Sequence, residues 1–222
     1  MSSSTQMPTI DSFKWNSTGW QPAQSMPGDL SWSNEAGDLV VQVFRRQVPP
    51  DIPSDWRDVN ALRAQLAELM PPKSASVSTD VFSLPAGITG AQYITKEFMP
   101  EPSLGHAYSG MITLPFRDFF CNFVFIACER GVTGVREATL MAAGKVKIPA
   151  QEHRRQVRND EEREAAHRQA RQRRPSLLGT DDEQWDAAFP DHPVSRIRTY
   201  LRHLRATLKV DSSVKDYPPF GS

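Results

Sequence analysis

Phe119-Phe-Cys-Asn-Phe-Val-Phe-Ile-Ala-Cys128 decides the fold. Successive side chains of a strand point to opposite faces of its sheet. Phe119, Cys121, Phe123, Phe125 and Ala127 share one face, and Phe120, Asn122, Val124, Ile126 and Cys128 share the other. Only Asn122 breaks the apolar character of either set. A strand apolar on both sides belongs in the middle of a sheet that is covered on both sides. Either helices pack on both faces, or one face meets a partner.

Upstream of this strand lie three more strand candidates, Ala75–Leu84, Ile88–Phe98 and His106–Leu114. The links between them are short and rich in proline, and a parallel crossover needs a dozen residues or more, so the four strands are antiparallel neighbours. Further upstream, Leu30–Ser33 and Leu39–Phe44 flank the polar loop Asn34–Asp38 and read as a hairpin. A short strand is expected over Phe13–Trp20.

Three segments have helical character. From Ser54 to Met70, Val59, Leu62, Leu66 and Leu69 recur at helical spacing; Ser54 or Asp55 is the expected cap, and Pro71-Pro72 ends the run. A helix over Thr133–Ala143 follows the central strand. The last runs over Val194–Val210, where Val194, Ile197, Leu201, Leu204 and Leu208 form an apolar stripe that requires a docking surface. The fold expected is α+β: an antiparallel sheet of five to seven strands with helices on both faces. The chain divides into 1–148, the sheet domain; 149–180, an Arg-rich exposed helix or linker; and 181–222, an acidic segment and a C-terminal helix docked on the sheet domain.

Composition narrows the function. Among 222 residues, 26 Lys+Arg balance 26 Asp+Glu, which argues against a nucleic-acid partner. The Arg-rich stretch from Gln151 to Arg174 lacks Phe, Tyr and Trp, so it offers no stacking platform for bases. No apolar run reaches the length of a membrane span. No signal peptide is apparent at the N-terminus, and the expected location is cytoplasmic. Cys121 and Cys128 point to opposite faces, about 23 Å apart at about 3.3 Å per residue, and cannot pair with each other.

No motif carries a familiar chemistry. The five His lie outside metal-ligand spacing, there is no phosphate-binding loop, and no cofactor or metal is expected. Gly131-Val-Thr-Gly134 precedes a helix, so it reads as a plain turn or as amides that hold an anion. Asp191-His-Pro-Val-Ser-Arg-Ile-Arg198 is the most patterned polar stretch. It reads either as a helix start, capped and paired with the acidic run before it, or as a binding site for a carboxylate or phosphate. Arg136, Glu137, His192, Arg196 and Arg198 are therefore the candidate ligand-binding residues. An enzyme would need a site gathered from separate elements, such as His106, Asn122, Arg136, Glu137 and His192.

Two patterns, Gly131-Val-Thr-Gly-Val-Arg-Glu-Ala138 and Phe189-Pro-Asp-His-Pro-Val-Ser-Arg-Ile-Arg198, resemble segments of an uncharacterised family of bacterial cytoplasmic proteins. That family carries no assigned activity, so the resemblance implies no catalytic residues. The order of elements is similar to the PsbP-like αβα sandwich, which includes photosystem accessory subunits, a nuclear-import cofactor and chaperones for secreted effectors. That resemblance implies a non-enzymatic binder. The leading expectation is a protein-interaction module, an adaptor or chaperone-like accessory protein, monomeric and with an unknown protein partner. The alternatives are a small-ligand binder or enzyme, and nucleic-acid contact through the Arg-rich helix.

Overall fold

The computed structural model describes residues 7–47, 52–71, 73–85, 87–99, 105–131, 133–146, 179–215 and 217–221. The Arg-rich segment expected as an exposed connector lies outside the described residues up to its last two, Gly179 and Thr180.

Nine strands are described: β1 (Phe13–Lys14), β2 (Trp20–Pro22), β3 (Asp29–Asn34), β4 (Leu39–Arg45), β5 (Ser74–Ser83), β6 (Thr89–Phe98), β7 (His106–Pro115), β8 (Phe120–Cys128) and β9 (Lys209–Val210). The helices are α1 (Val59–Leu69), α2 (Val135–Ala142), α3 (Pro193–Thr207) and the single turn α4 (Ser212–Lys215). Seven strands form one antiparallel sheet in the order β2-β3-β4-β8-β7-β6-β5, with helices on both faces, so the fold is α+β. β8 occupies its middle position. Its one-residue alternation is sharp: Cys121, Phe123, Phe125 and Ala127 are buried, while Asn122, Val124, Ile126 and Cys128 are half-buried.

The two faces are covered unequally. α3 lays Val194, Ile197, Leu201 and Leu204 on β7 and β8, against Ile112, Phe123 and Phe125. Gly110 makes this docking possible, since a Cβ there would lie 2.4 Å from Ile197 Cγ2. On the opposite face α1 seats Leu62 and Leu66, with Trp56, over Ala91 of β6. Its main contact is with the β5 edge of the sheet. The main described contact of α2 is with the turn Gly179–Asp181, and it meets the sheet through Glu137, 3.7 Å from Lys96 of β6.

Local details also depart from expectation. α1 begins four residues or more after the expected caps, because Asp58 accepts the Asn60 N–H at 2.8 Å and Trp56 turns inward before the helix starts. The expected strand over Phe13–Trp20 is two short strands, β1 and β2, separated by a turn. β1 leaves the main sheet and pairs with β9.

Candidate functional site

The predicted polar residues converge at the end of the sheet where β6, β7, α2 and α3 meet. Lys96 and Tyr108 are register partners on β6 and β7, so they share the α3 face. Both aim at Asp181: Tyr108 Oη donates to Oδ1 at 2.7 Å, and Lys96 Nζ stands 3.1 Å from Oδ2. Lys96 is 2% exposed, and a lysine this deep requires such a partner. Burial, followed by the Asp181 charge, pushes the Tyr108 hydroxyl well above its usual pKa.

Arg136 is the hub of the junction, 1% exposed. Its Nε donates to the Thr180 carbonyl at 2.6 Å and Nη2 to the Asp182 carbonyl at 2.7 Å. Nη1 serves Ser195 Oγ at 2.8 Å and Asp186 Oδ1 at 3.2 Å. Arg198 reaches the same Asp186 oxygen at 2.8 Å and also donates to the Asp181 carbonyl. These guanidiniums bind the chain's own acidic run, which is the capping-and-pairing arrangement of the Asp191–Arg198 stretch. Arg196 goes elsewhere: it grips Asp38 with two bonds of 2.8 and 2.9 Å and donates to the Cys128 and Asp191 carbonyls. Tyr200 donates to the same Asp38 at 2.7 Å.

Glu129, just past β8, closes the start of α2. Its carboxylate accepts the His106 N–H at 2.7 Å and the Gly134 N–H at 3.0 Å. Gly134 is left-handed, φ 73°, a conformation that favours glycine. The anion at this helix start is therefore supplied by the chain itself. Burial raises the Glu129 pKa, but the bonds from the His106 side chain and the two amides outweigh it and bring it to about 2.

His192 caps α3, its Nδ1 accepting the Val194 N–H at 3.3 Å. Its Nε2 points back toward two carboxylates, 3.8 Å from Glu129 Oε1 and 3.9 Å from Glu137 Oε1. Burial, then the Arg136 charge, lowers its pKa to about 4, so the ring is neutral at pH 7. Neither Glu137 oxygen has a hydrogen-bond partner, nor does His192 Nε2. Glu129, Glu137 and His192 are the described residues whose donors converge closely enough to hold a metal ion. A cavity of about 410 Å³, lined by Glu129, Arg130, Arg136, Phe189, His192 and Arg196 among others, opens beside Glu129 and His192.

Of the ligand-binding candidates, the structure gathers Arg136, Glu137, His192 and Arg198, and places Arg196 on the Asp38 side. His106 joins them through Glu129. Asn122 lies on the opposite face of the sheet, paired with Thr113 and Val43. Sequence reasoning missed Lys96, Tyr108, Glu129, Asp181 and Asp186. One signal was available: Lys96 falls on the same face of its strand as Ile94, where a cation requires a buried acid.

The second site is the face that α3 does not cover. Leu39, Val41 and Val43 of β4, Val124 and Ile126 of β8 and Met111 of β7 stand side by side on it by register, all half-buried. Val41 and Met111 both pair with Val124. α1 lies mainly beyond this patch, and no described helix makes extensive contact with it; at its β7 border Tyr93, which packs against the α1 cluster, donates to Met111 Sδ at 2.7 Å. Two arrangements were expected for the central strand, helices on both faces or one face left for a partner; α3 covers one face, and no extensive helix contact is described on the other.

No family model matches the chain, and neither does any curated protein sequence. Solved structures do match in part. The Ran-binding protein Mog1p of Saccharomyces cerevisiae is 9% identical over 89% of this chain and 88% of its own, with a TM-score of 0.42. The cyanobacterial PsbP protein of Synechocystis is 10% identical over 62% of this chain and 84% of its own, with a TM-score of 0.36. At these scores the likeness carries no weight for function. Among the described residues, no helix is long and apolar enough to cross a membrane.

Proposed function

We propose that the chain is a protein-interaction module, and that its contact surface is the uncovered face of β4, β8 and β7. One observation carries this reading: six apolar side chains, Leu39, Val41, Val43, Met111, Val124 and Ile126, form a continuous patch in the middle of the sheet on which no described helix packs extensively. Contiguous apolar patches on folded chains mark interaction sites. The arginines at the other site favour the same conclusion, since their donors are spent within the chain and leave little for a small anion. The occupant is a partner protein with an apolar surface of its own, which fits an adaptor or chaperone-like accessory role. The free chain is a monomer in this reading.

The test uses the full chain and a Val41→Lys/Val124→Lys variant. Proteins captured by each from an extract of the source cell are compared, and the partner is purified and titrated by calorimetry. The expected result is binding to the wild type and at least a tenfold loss in the variant, with an unchanged thermal melt. Equal affinity for both chains overturns the reading. So does a wild-type homodimer that the variant abolishes.

A further inference from the structure

We propose that Glu129, Glu137 and His192 form a binding site for a divalent transition metal, with zinc or manganese the best fit. This goes beyond the interaction surface and rests on different residues. The three come from separate elements: the end of β8, the first turn of α2 and the cap of α3. Their donor atoms lie within 4.8 Å of one another. Bonds of about 2.1 Å in a tetrahedron hold donors about 3.4 Å apart. The separations of 3.8 and 3.9 Å from His192 Nε2 to the two carboxylates therefore need to close by about half an ångström.

Unmet polar groups point to a ligand. The His192 side chain is 7% exposed, and its Nε2 has no hydrogen-bond partner. Both Glu137 oxygens are buried in the same condition. Native interiors leave few such groups unsatisfied. An imidazole with two carboxylates suits zinc or manganese better than magnesium, which takes oxygen donors and keeps its water.

In this junction Glu129, Glu137, Asp181 and Asp186 stand among Lys96, Arg136 and Arg198, and Glu137 is a carboxylate with neither oxygen hydrogen-bonded. Lys96 stands 3.7 Å from Glu137 Oε1, but its hydrogen bonds go to Asp181. The cavity beside His192 gives the ion its route from solvent.

Coordination at Nε2 has one local cost. The ring proton must move to Nδ1, which releases the 3.3 Å cap bond from Val194. A lost cap lowers affinity by a factor of about five, which a three-donor site tolerates.

The experiment is calorimetric titration of the chelator-treated full chain with zinc, manganese and, as control, magnesium. It is repeated on His192→Asn, in which Asn keeps a capping oxygen, and on Glu137→Gln. One equivalent of zinc or manganese is expected to bind in the micromolar range, with no heat from magnesium. Each variant should lose at least tenfold while keeping the metal-free melt. Cobalt(II) should give the visible absorption of a site with nitrogen and oxygen donors in the wild type only. Absence of binding to the wild type overturns the proposal, as does binding that both variants retain.

Discussion

Gly110→Ala should unseat α3. The added Cβ would lie 2.4 Å from Ile197 Cγ2 and 3.0 Å from Leu201 Cδ1, where carbon atoms settle at about 3.5–4.0 Å. Both neighbours are buried, on a helix that is itself pinned by Arg196 and Arg198, so neither moves cheaply. The helix must retreat by about 1 Å, loosening its contacts with Phe123 and Phe125. Overpacking costs about 1–3 kcal/mol, and this site belongs at the upper end. In a chain of this length, about 3 kcal/mol lowers the melting temperature by roughly 6–12 °C. Urea unfolding of Gly110→Ala, Ile197→Ala and the double variant measures the effect. Ile197→Ala removes the offending methyl and costs about 2–5 kcal/mol through its cavity. The double variant should then be less destabilised than the sum by about 1–2 kcal/mol. Strict additivity, or a Gly110→Ala chain as stable as the wild type, would refute the seating of α3 on β7.

Other perturbations test other parts. Arg136→Met leaves the Asp182 and Thr180 carbonyls without their donor and should cost about 3–5 kcal/mol, whereas Arg202→Met, at a side chain 58% exposed, should change stability by under about 1 kcal/mol; chemical unfolding compares them. Phe123→Ala, in the fully buried row of β8, should cost about 3–5 kcal/mol, and the β8 amides should be among the slowest to exchange with deuterium. Tyr200 is held near pKa 12, by burial first and then its bond to Asp38, while the unfolded phenol ionises near 10. The folded form keeps its proton longer, so this contribution is present below pH 10 and lost as pH rises toward 12. Absorbance at alkaline pH should show Tyr200 and Tyr108 titrating late, and Asp38→Asn should bring Tyr200 down.

Much of the sheet was legible because period-two alternation and proline punctuation are local signals. The meander β5–β6–β7–β8 appears within about a residue of its expected bounds. The pairing of β4 with β8 was not legible, because it joins segments about 80 residues apart and no local feature encodes it. The start of α1 was misplaced because Ser54, Asp55 and Asp58 are all competent caps, and only the inward turn of Trp56 selects the last. At the polar junction, charged residues on α2 and α3 stood out as patterns. Their partners did not, because Lys96, Glu129 and Asp181 acquire their roles only when β6, β8 and the acidic run are brought together.

The central claim is that the uncovered face of the sheet binds a protein partner. The most direct measurement is a methyl nuclear magnetic resonance titration of the labelled chain with that partner. Methyls of Leu39, Val41, Val43, Val124 and Ile126 should shift or broaden together, while those of Ile112, Ile197 and Leu201 beneath α3 stay in place. Perturbation confined to methyls outside β4, β7 and β8, with the face methyls unmoved, would contradict the account.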